Sequence, residues 1–254
     1  MEHVFYISEL DSLKYFNKMF SRLYFGAEFC EYLLPSRNDL QKAKNFCERN
    51  KIKFSFITPP CTDVGIKAVE NLFSALPKNS EIIFNDYGVF NLIKNNSNFI
   101  PVLGRLLVSV KRDPRINFNQ KFKKYFQLSN LNNKDFQRFL LKQKIFRLEL
   151  DNVLQGYSFK PLKDISTSLY YPYVYITVSR KCLMGNCSKV MRFSDSETTQ
   201  NKSFCRENLA IAELKDSKYP IIIKGNSQFY QNNSKPFNLS RYKINRLVFM
   251  PKIP

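Results

Sequence analysis

At 254 residues and 44% hydrophobic content, the chain can bury a full core without covalent staples, which sets aside disordered and disulfide-scaffold classes. Its formal charge of +19, from 40 Lys and Arg against 21 Asp and Glu, invites a polyanionic partner such as RNA, but the excess is diffuse and a lysine-rich compositional bias is the preferred explanation, which leaves nucleic-acid binding secondary. With His3 as the single histidine, Ser-His-Asp and Cys-His catalysis and a histidine-based zinc hydrolase lose their support.

No apolar run is long enough to span a bilayer, and the first residues, Met1 to Ile7, lack a basic stretch followed by an apolar one. The expectation is a protein without signal peptide or membrane span. Six cysteines in such a chain suggest reduced thiols or metal ligands in a cytoplasmic setting.

Short apolar strands alternate with helical segments along the chain. The strands are expected at Val4 to Ile7, Arg22 to Phe25, Lys53 to Ile57, Glu81 to Asn85, Pro101 to Leu106, Ile145 to Leu150, Tyr173 to Val178 and Arg246 to Met250. Helices are expected over Leu10 to Phe20, Arg37 to Asn50, Thr62 to Leu76, Val89 to Lys94, Lys134 to Lys144 and Ser203 to Leu214. A hairpin turning at Lys224-Gly-Asn226 precedes the last strand. Eight strands with intervening helices predict one α/β domain over residues 1–254, a (β/α)8 TIM-type barrel that is compact or irregular in its helices.

In such a barrel the chemistry lies just beyond the C-terminal ends of the strands. Asn85 and Asp86 close the fourth strand there, and the Asp86 carboxylate could serve as acid or base, orient a substrate hydroxyl, or cap the next helix. Arg147, Glu149 and Asp151 alternate along the sixth strand and are expected to face the barrel interior, with Leu148 and Leu150 packed on the helices. Arg105 and Arg115 offer guanidinium groups suited to a carboxylate or phosphate, unless they belong to a solvated basic loop. Tyr173, in the run Tyr170 to Tyr175, could stack on a base or quinone ring, or be core. Arg180 follows at the end of that run as a further anion-binding group.

Cys182, Cys187 and Cys205 form the most distinctive constellation. Their spacing, four residues and then seventeen, departs from the paired short spacing of a zinc ribbon and disfavours a structural zinc. It is compatible with an iron-sulfur cluster completed by a distant thiolate. Cys30, beyond the second strand, is the choice for that fourth ligand, with Cys61 as the substitute candidate. Unrelated buried or loop thiols are the competing explanation, and Cys47, on an amphipathic helix, is read simply as a small buried hydrophobe.

Leu23-Tyr-Phe-Gly-Ala-Glu-Phe-Cys30, Phe84-Asn-Asp-Tyr-Gly-Val89 and Tyr175-Ile-Thr-Val-Ser-Arg-Lys-Cys182 resemble strand ends of the U32 peptidase family, the collagenase-like peptidases. The likeness is nearest to the short members that act in oxygen-independent ubiquinone hydroxylation. It runs over nearly the whole chain, with Asn245 to Pro251 as the closing strand. The resemblance implies a 4Fe-4S cluster on Cys30, Cys182, Cys187 and Cys205, the last two matched by order rather than by spacing. It implies hydroxylation of an aromatic substrate such as a ubiquinone precursor, or of an RNA base in tRNA or rRNA. It also admits a cluster-carrying subunit that pairs with a homologous barrel. The substrate would be small and anionic or aromatic. Proteolysis is the weakest expectation, because no hydrolytic site stands out.

Overall fold

The structure is a computed structural model describing residues 1–115, 120–161, 163–179, 182, 202–234 and 239–254. Seven strands come first: β1 (Glu2–Ile7), β2 (Arg22–Gly26), β3 (Lys53–Ile57), β4 (Ser80–Phe84), β5 (Phe99–Leu103), β6 (Arg147–Asp151) and β7 (Ser166–Tyr171). The chain then leaves the barrel through β8 (Tyr173–Val178), β9 (Ala210–Ala212), β10 (Ile221–Lys224) and β11 (Ser227–Gln231), and returns as β12 (Ile244–Phe249). Strands β1 to β7 and β12 pair in parallel and close into a barrel in the order β1-β12-β7-β6-β5-β4-β3-β2. The TIM-type architecture is therefore present, with a separate four-stranded sheet, β8-β11-β10-β9, inserted before the closing strand.

The helices are α1 (Arg37–Asn50), α2 (Asp63–Phe73), α3 (Tyr87–Ile93), α4 (Lys123–Phe126), α5 (Lys134–Lys142) and α6 (Lys202–Glu207). Local chemistry sets their limits. The Ser36 side chain accepts from the Asp39 amide to start α1, and Lys51, in the left-handed conformation, ends it. Leu40, Ala43 and Cys47 form its buried stripe, so Cys47 is indeed a core thiol.

Three expected elements differ. Tyr173 to Val178 is a strand but not a barrel strand. The seventh barrel strand is Ser166–Tyr171, whose polar start concealed it, because Thr167 and Ser168 are fully buried through hydrogen bonds to the Tyr242 carbonyl and the Arg147 guanidinium. A single residue, Pro172, separates the two strands, and no proline can continue a ladder as a donor. Leu10 to Phe20 forms only a short 3-10 segment, Leu10–Tyr15. Ser203 to Leu214 divides into the end of α6 and the edge strand β9. The hairpin at Gly225-Asn226 forms between β10 and β11 as expected.

Alternation along the strands sorts the side chains. Leu23, Phe25, Phe56, Ile82, Phe84, Leu148 and Leu150 point outward into the cluster beneath the helices. Val4, Tyr6, Tyr24, Ile57, Ile83, Val102, Tyr170, Val248 and Met250 fill the barrel. Gly26 ends β2 at φ +145°, and a Cβ there would overlap the Ile57 carbonyl oxygen. Only glycine fits, and the turn it permits carries Glu28 into the barrel mouth.

Candidate functional site

Two charged layers plug the two ends of the barrel, with tyrosines and aliphatic side chains between them. At the N-terminal end, Arg22 bonds Glu2 at 2.8 Å and Arg246 bonds the other Glu2 oxygen at 2.7 Å. Arg246 also holds Glu81 through two bonds of 2.8 and 3.0 Å. Burial works to raise the Glu81 carboxyl, but Arg246 and Arg22 overcome it and hold it at about 2. Arg246 further donates to the Tyr24 hydroxyl at 2.6 Å, which donates to Glu149 Oε1 at 3.1 Å. Glu149 is fully buried, and that burial pushes its carboxyl up to about 7.

The C-terminal end, where barrel enzymes place their chemistry, is organised by Arg105. Its guanidinium is fully buried and bonds both Glu28 oxygens, at 2.8 and 2.7 Å, and Asp151 Oδ1 at 2.7 Å. Its face lies 4.2 Å from the Tyr170 ring. Arg112 takes the other Asp151 oxygen at 2.8 Å and caps the Val108 and Arg105 carbonyls. Tyr175, on β8, closes the network from above by donating to the Arg105 carbonyl at 3.1 Å, with Arg112 stacked 4.1 Å from its ring. Two cations and two carboxylates thus balance in a dry pocket beneath the inserted sheet. Burial pushes the Glu28 carboxyl up, against the opposing pull of Arg105.

The residues expected at the site fall into separate groups. Glu149 and Asp151 both face inward, with Leu148 and Leu150 packed outside. They serve different layers, Glu149 near the Tyr24 hydroxyl and Asp151 at the mouth. Asn85 is buried and ties strand ends together, donating to the Thr58 carbonyl at 2.9 Å and accepting from the Leu106 amide at 3.1 Å. Asp86 caps α3 through the Gly88 amide at 2.6 Å and also accepts from the Cys61 amide at 3.2 Å. Arg105 has its donors engaged inside the protein, and Arg115 pairs with Asp113 on the surface. Tyr173 is half-buried, with its carbonyl bonded to Arg105 at 3.3 Å. Arg180 and Cys187 lie outside the described residues.

Around the hairpin tip of the inserted sheet, two of the thiols meet and the segment before a third is tied down. Asn226 Nδ2 donates to the Phe29 carbonyl and to the Ser179 carbonyl, both at 2.8 Å. That one amide fastens the segment leading to Cys30 to the segment leading to Cys182. Gly225 beside it packs against Cys205, 3.9 Å from an ideal Cβ position on the glycine to the Cys205 Cβ. The Cys182 and Cys205 sulfurs stand 3.8 Å apart, Cys205 being buried on α6. Cys61 sits differently, its thiol bonded to the Pro59 carbonyl at 3.3 Å and pushed up to about 12 by burial. Among the described residues, no three His, Cys, Asp or Glu side chains converge closely enough to hold a metal ion.

Tyr24 and Arg246 carry much of this geometry without having stood out as site residues, whereas Glu28 was legible as a polar strand-end residue and Arg112 as part of the basic Lys111 to Arg115 stretch. The available signal was a charge at an inward position of an otherwise apolar strand, as in Arg22-Leu-Tyr-Phe25 and Arg246-Leu-Val-Phe249.

The fold defines an eight-stranded parallel barrel of the TIM type, with the Cys182 and Cys205 thiols paired beside the inserted sheet. No protein family and no curated protein matches the sequence. Among solved structures, the chain is similar to the U32 peptidase Mk0906, with a TM-score of 0.47 and 3% identity, covering 100% of this chain and 93% of that one. Among the described residues, no helix is long and apolar enough to cross a membrane.

Proposed function

We propose that the chain is a metal-thiolate barrel protein holding a 4Fe-4S cluster on Cys30, Cys182, Cys187 and Cys205, and that it performs or supports oxygen-independent hydroxylation of an aromatic substrate such as a ubiquinone precursor. The observation that carries this reading is the gathering of three distant sequence segments, ending in Cys30, Cys182 and Cys205, about the Gly225-Asn226 turn. When bound, such a cluster supplies one-electron redox chemistry, tuned by burial and by hydrogen bonds to its sulfurs. The chain's own residues do the rest. Asn226 fixes two ligand segments at once, and Tyr175 and Phe29 roof the Arg105 network and keep water from the barrel interior.

The donor set suits a cluster, since thiolates are its usual ligands. One distance favours a second reading. Four thiolates at about 2.3 Å from a single tetrahedral metal stand about 3.8 Å from one another, which matches the Cys182 to Cys205 separation of 3.8 Å. A mononuclear site on that pair is the alternative.

Anaerobic reconstitution with iron and sulfide separates the two. The cluster reading expects about four irons and four sulfides per chain, a brown absorbance, and loss of both in Cys30→Ala, Cys182→Ala and Cys205→Ala. Protein that takes up neither iron nor sulfide, but retains a single zinc or iron lost in Cys182→Ala, would establish the mononuclear site instead. RNA-base hydroxylation draws support from the charge of +19 and from Phe122 and Tyr125, 47% and 61% exposed beside Lys121, Lys123 and Lys124. RNA binding that weakens steeply with salt would favour that substrate.

A further inference from the structure

Where β7 passes through Pro172 into β8, beside the end of β12, lies an open groove with a volume of about 570 Å3. That is within the range of about 300–1,000 Å3 typical of small-molecule sites. Tyr171, Tyr173 and Phe249 wall it, the Tyr171 and Phe249 rings lying 5.4 Å apart and inclined at 48°. The buried Met250 forms its floor. Gln231 and Asn233 stand at its edge, linked to each other by a 3.1 Å bond from Gln231 Nε2 to Asn233 Oδ1.

The composition of this lining is selective. In a chain of net charge +19, no charged side chain is among the described lining residues. Among the described lining residues, an anion meets no cationic side chain and a cation meets no carboxylate. Aromatic walls reward flat π-faces through offset or edge contacts, beyond simple area burial. Amides at the edge reward hydrogen-bonding substituents at the rim of a ring.

We propose that this groove binds a neutral, planar aromatic molecule of one or two fused rings, stacked against Tyr171 and Tyr173 and hydrogen-bonded at its edge by Gln231 and Asn233. The groove stands apart from the thiols. The hairpin tip lies at the far end of β8, about five residues and hence roughly 17 Å along the strand. It does touch the buried network. The Met250 sulfur is 3.5 Å from Arg105 Nη2, and the Tyr173 carbonyl accepts from Arg105 Nη1 at 3.3 Å. An occupant would therefore press directly on the residues that anchor Arg105. The proposal rests on the groove's own residues and holds whichever metal the cysteines carry.

The test uses the full chain labelled with 13C in its methionine methyl groups, of which the sequence has five, and titrated with 2-naphthol. The expected result is a saturable shift of the Met250 methyl resonance, assigned by Met250→Leu. Tyr173→Leu, which keeps apolar bulk but removes the ring, and the pair Gln231→Ala with Asn233→Ala should each weaken binding by about tenfold. The saturated analogue 2-decalol should bind about tenfold more weakly than 2-naphthol. Thermal melts establish that each variant is folded, and Cys182→Ala should leave the titration unchanged. Absence of a saturable shift, equal binding of 2-decalol, or a Met250 response to a proline-rich peptide but not to 2-naphthol would overturn the proposal.

Discussion

Arg105 and Glu28 face each other through two hydrogen bonds, Nε to Oε1 at 2.8 Å and Nη2 to Oε2 at 2.7 Å, with both side chains wholly withdrawn from solvent. Seventy-seven positions separate them in sequence. Such a pair contributes less than its short bonds suggest, because each ion gave up its hydration to enter the pocket, but removing one partner strands the other. Glu28→Ala should therefore destabilise the protein by about 3–5 kcal/mol. Urea denaturation checks this, and a double-mutant cycle with Arg105→Met should recover much of the loss. A cycle with no coupling would show that the two side chains act independently.

Glu149 and Glu81 set opposite pH dependences. The folded carboxyl of Glu149 is raised from 4.5 to about 7, so the native state binds more protons than the unfolded state across that interval. Stability from this group is complete below about pH 4.5 and falls by up to about 1.4 kcal/mol per pH unit as pH rises toward 7. Glu81, held at about 2, contributes stability above 4.5 that is lost as pH falls toward 2. Denaturation midpoints from pH 3 to 8, roughly the span of these two effects, should flatten on the alkaline side in Glu149→Gln. An unaltered profile in that variant would place the titration elsewhere.

Asp86 presents a separable choice between capping and chemistry. Its carboxylate accepts from the Gly88 amide at 2.6 Å, and asparagine caps as well as aspartate does. Asp86→Ala should cost about 1 kcal/mol in thermal or chemical unfolding, whereas Asp86→Asn should be nearly neutral. If the hydroxylation proposed above is found and then disappears in Asp86→Asn at unchanged stability, the carboxylate has a chemical role beyond its cap.

Gly26 offers a backbone test. Its φ of +145° and the overlap that a Cβ would make with the Ile57 carbonyl oxygen leave no room for a side chain. Gly26→Ala should lower stability by at least about 1–3 kcal/mol, read from the denaturation midpoint. It should also shift the Tyr6 and Tyr170 environment seen in near-ultraviolet circular dichroism, because the turn delivers Glu28 beneath Arg105.

Much of the barrel could be read from the chain because its outward strand faces are nearly continuous apolar alternations, as in Leu23 and Phe25 or Leu148 and Leu150. The strand β7 escaped that reading because Thr167 and Ser168 are buried through specific bonds to Tyr242 and Arg147, partners that lie far away in sequence. Glu149 and Asp151 betrayed their inward orientation through period-two spacing, but spacing alone cannot reveal which layer a carboxylate joins. That Glu28 and Arg112 join one network through Arg105 and Asp151 becomes visible only when β2, β5 and β6 are laid side by side. The nearness of Cys182 and Cys205 depends on Gly225 and Asn226, a turn chosen by hairpin geometry rather than by cysteine spacing.

The pairing of β1 with β12 in register Val4 to Val248 sets the order in which this molecule can be built. Seven of the barrel strands are synthesised before the inserted sheet, and the eighth emerges only after it. Until Ile244–Phe249 arrives, β1 and β7 present unpaired edges, and Glu2 and Glu81 lack the Arg246 guanidinium that joins them. Closure therefore requires a contact between the two most distant strands of the chain, the kind of long-range event that slows folding. A nascent chain must keep those two edges from other partners while the sheet over the mouth takes shape.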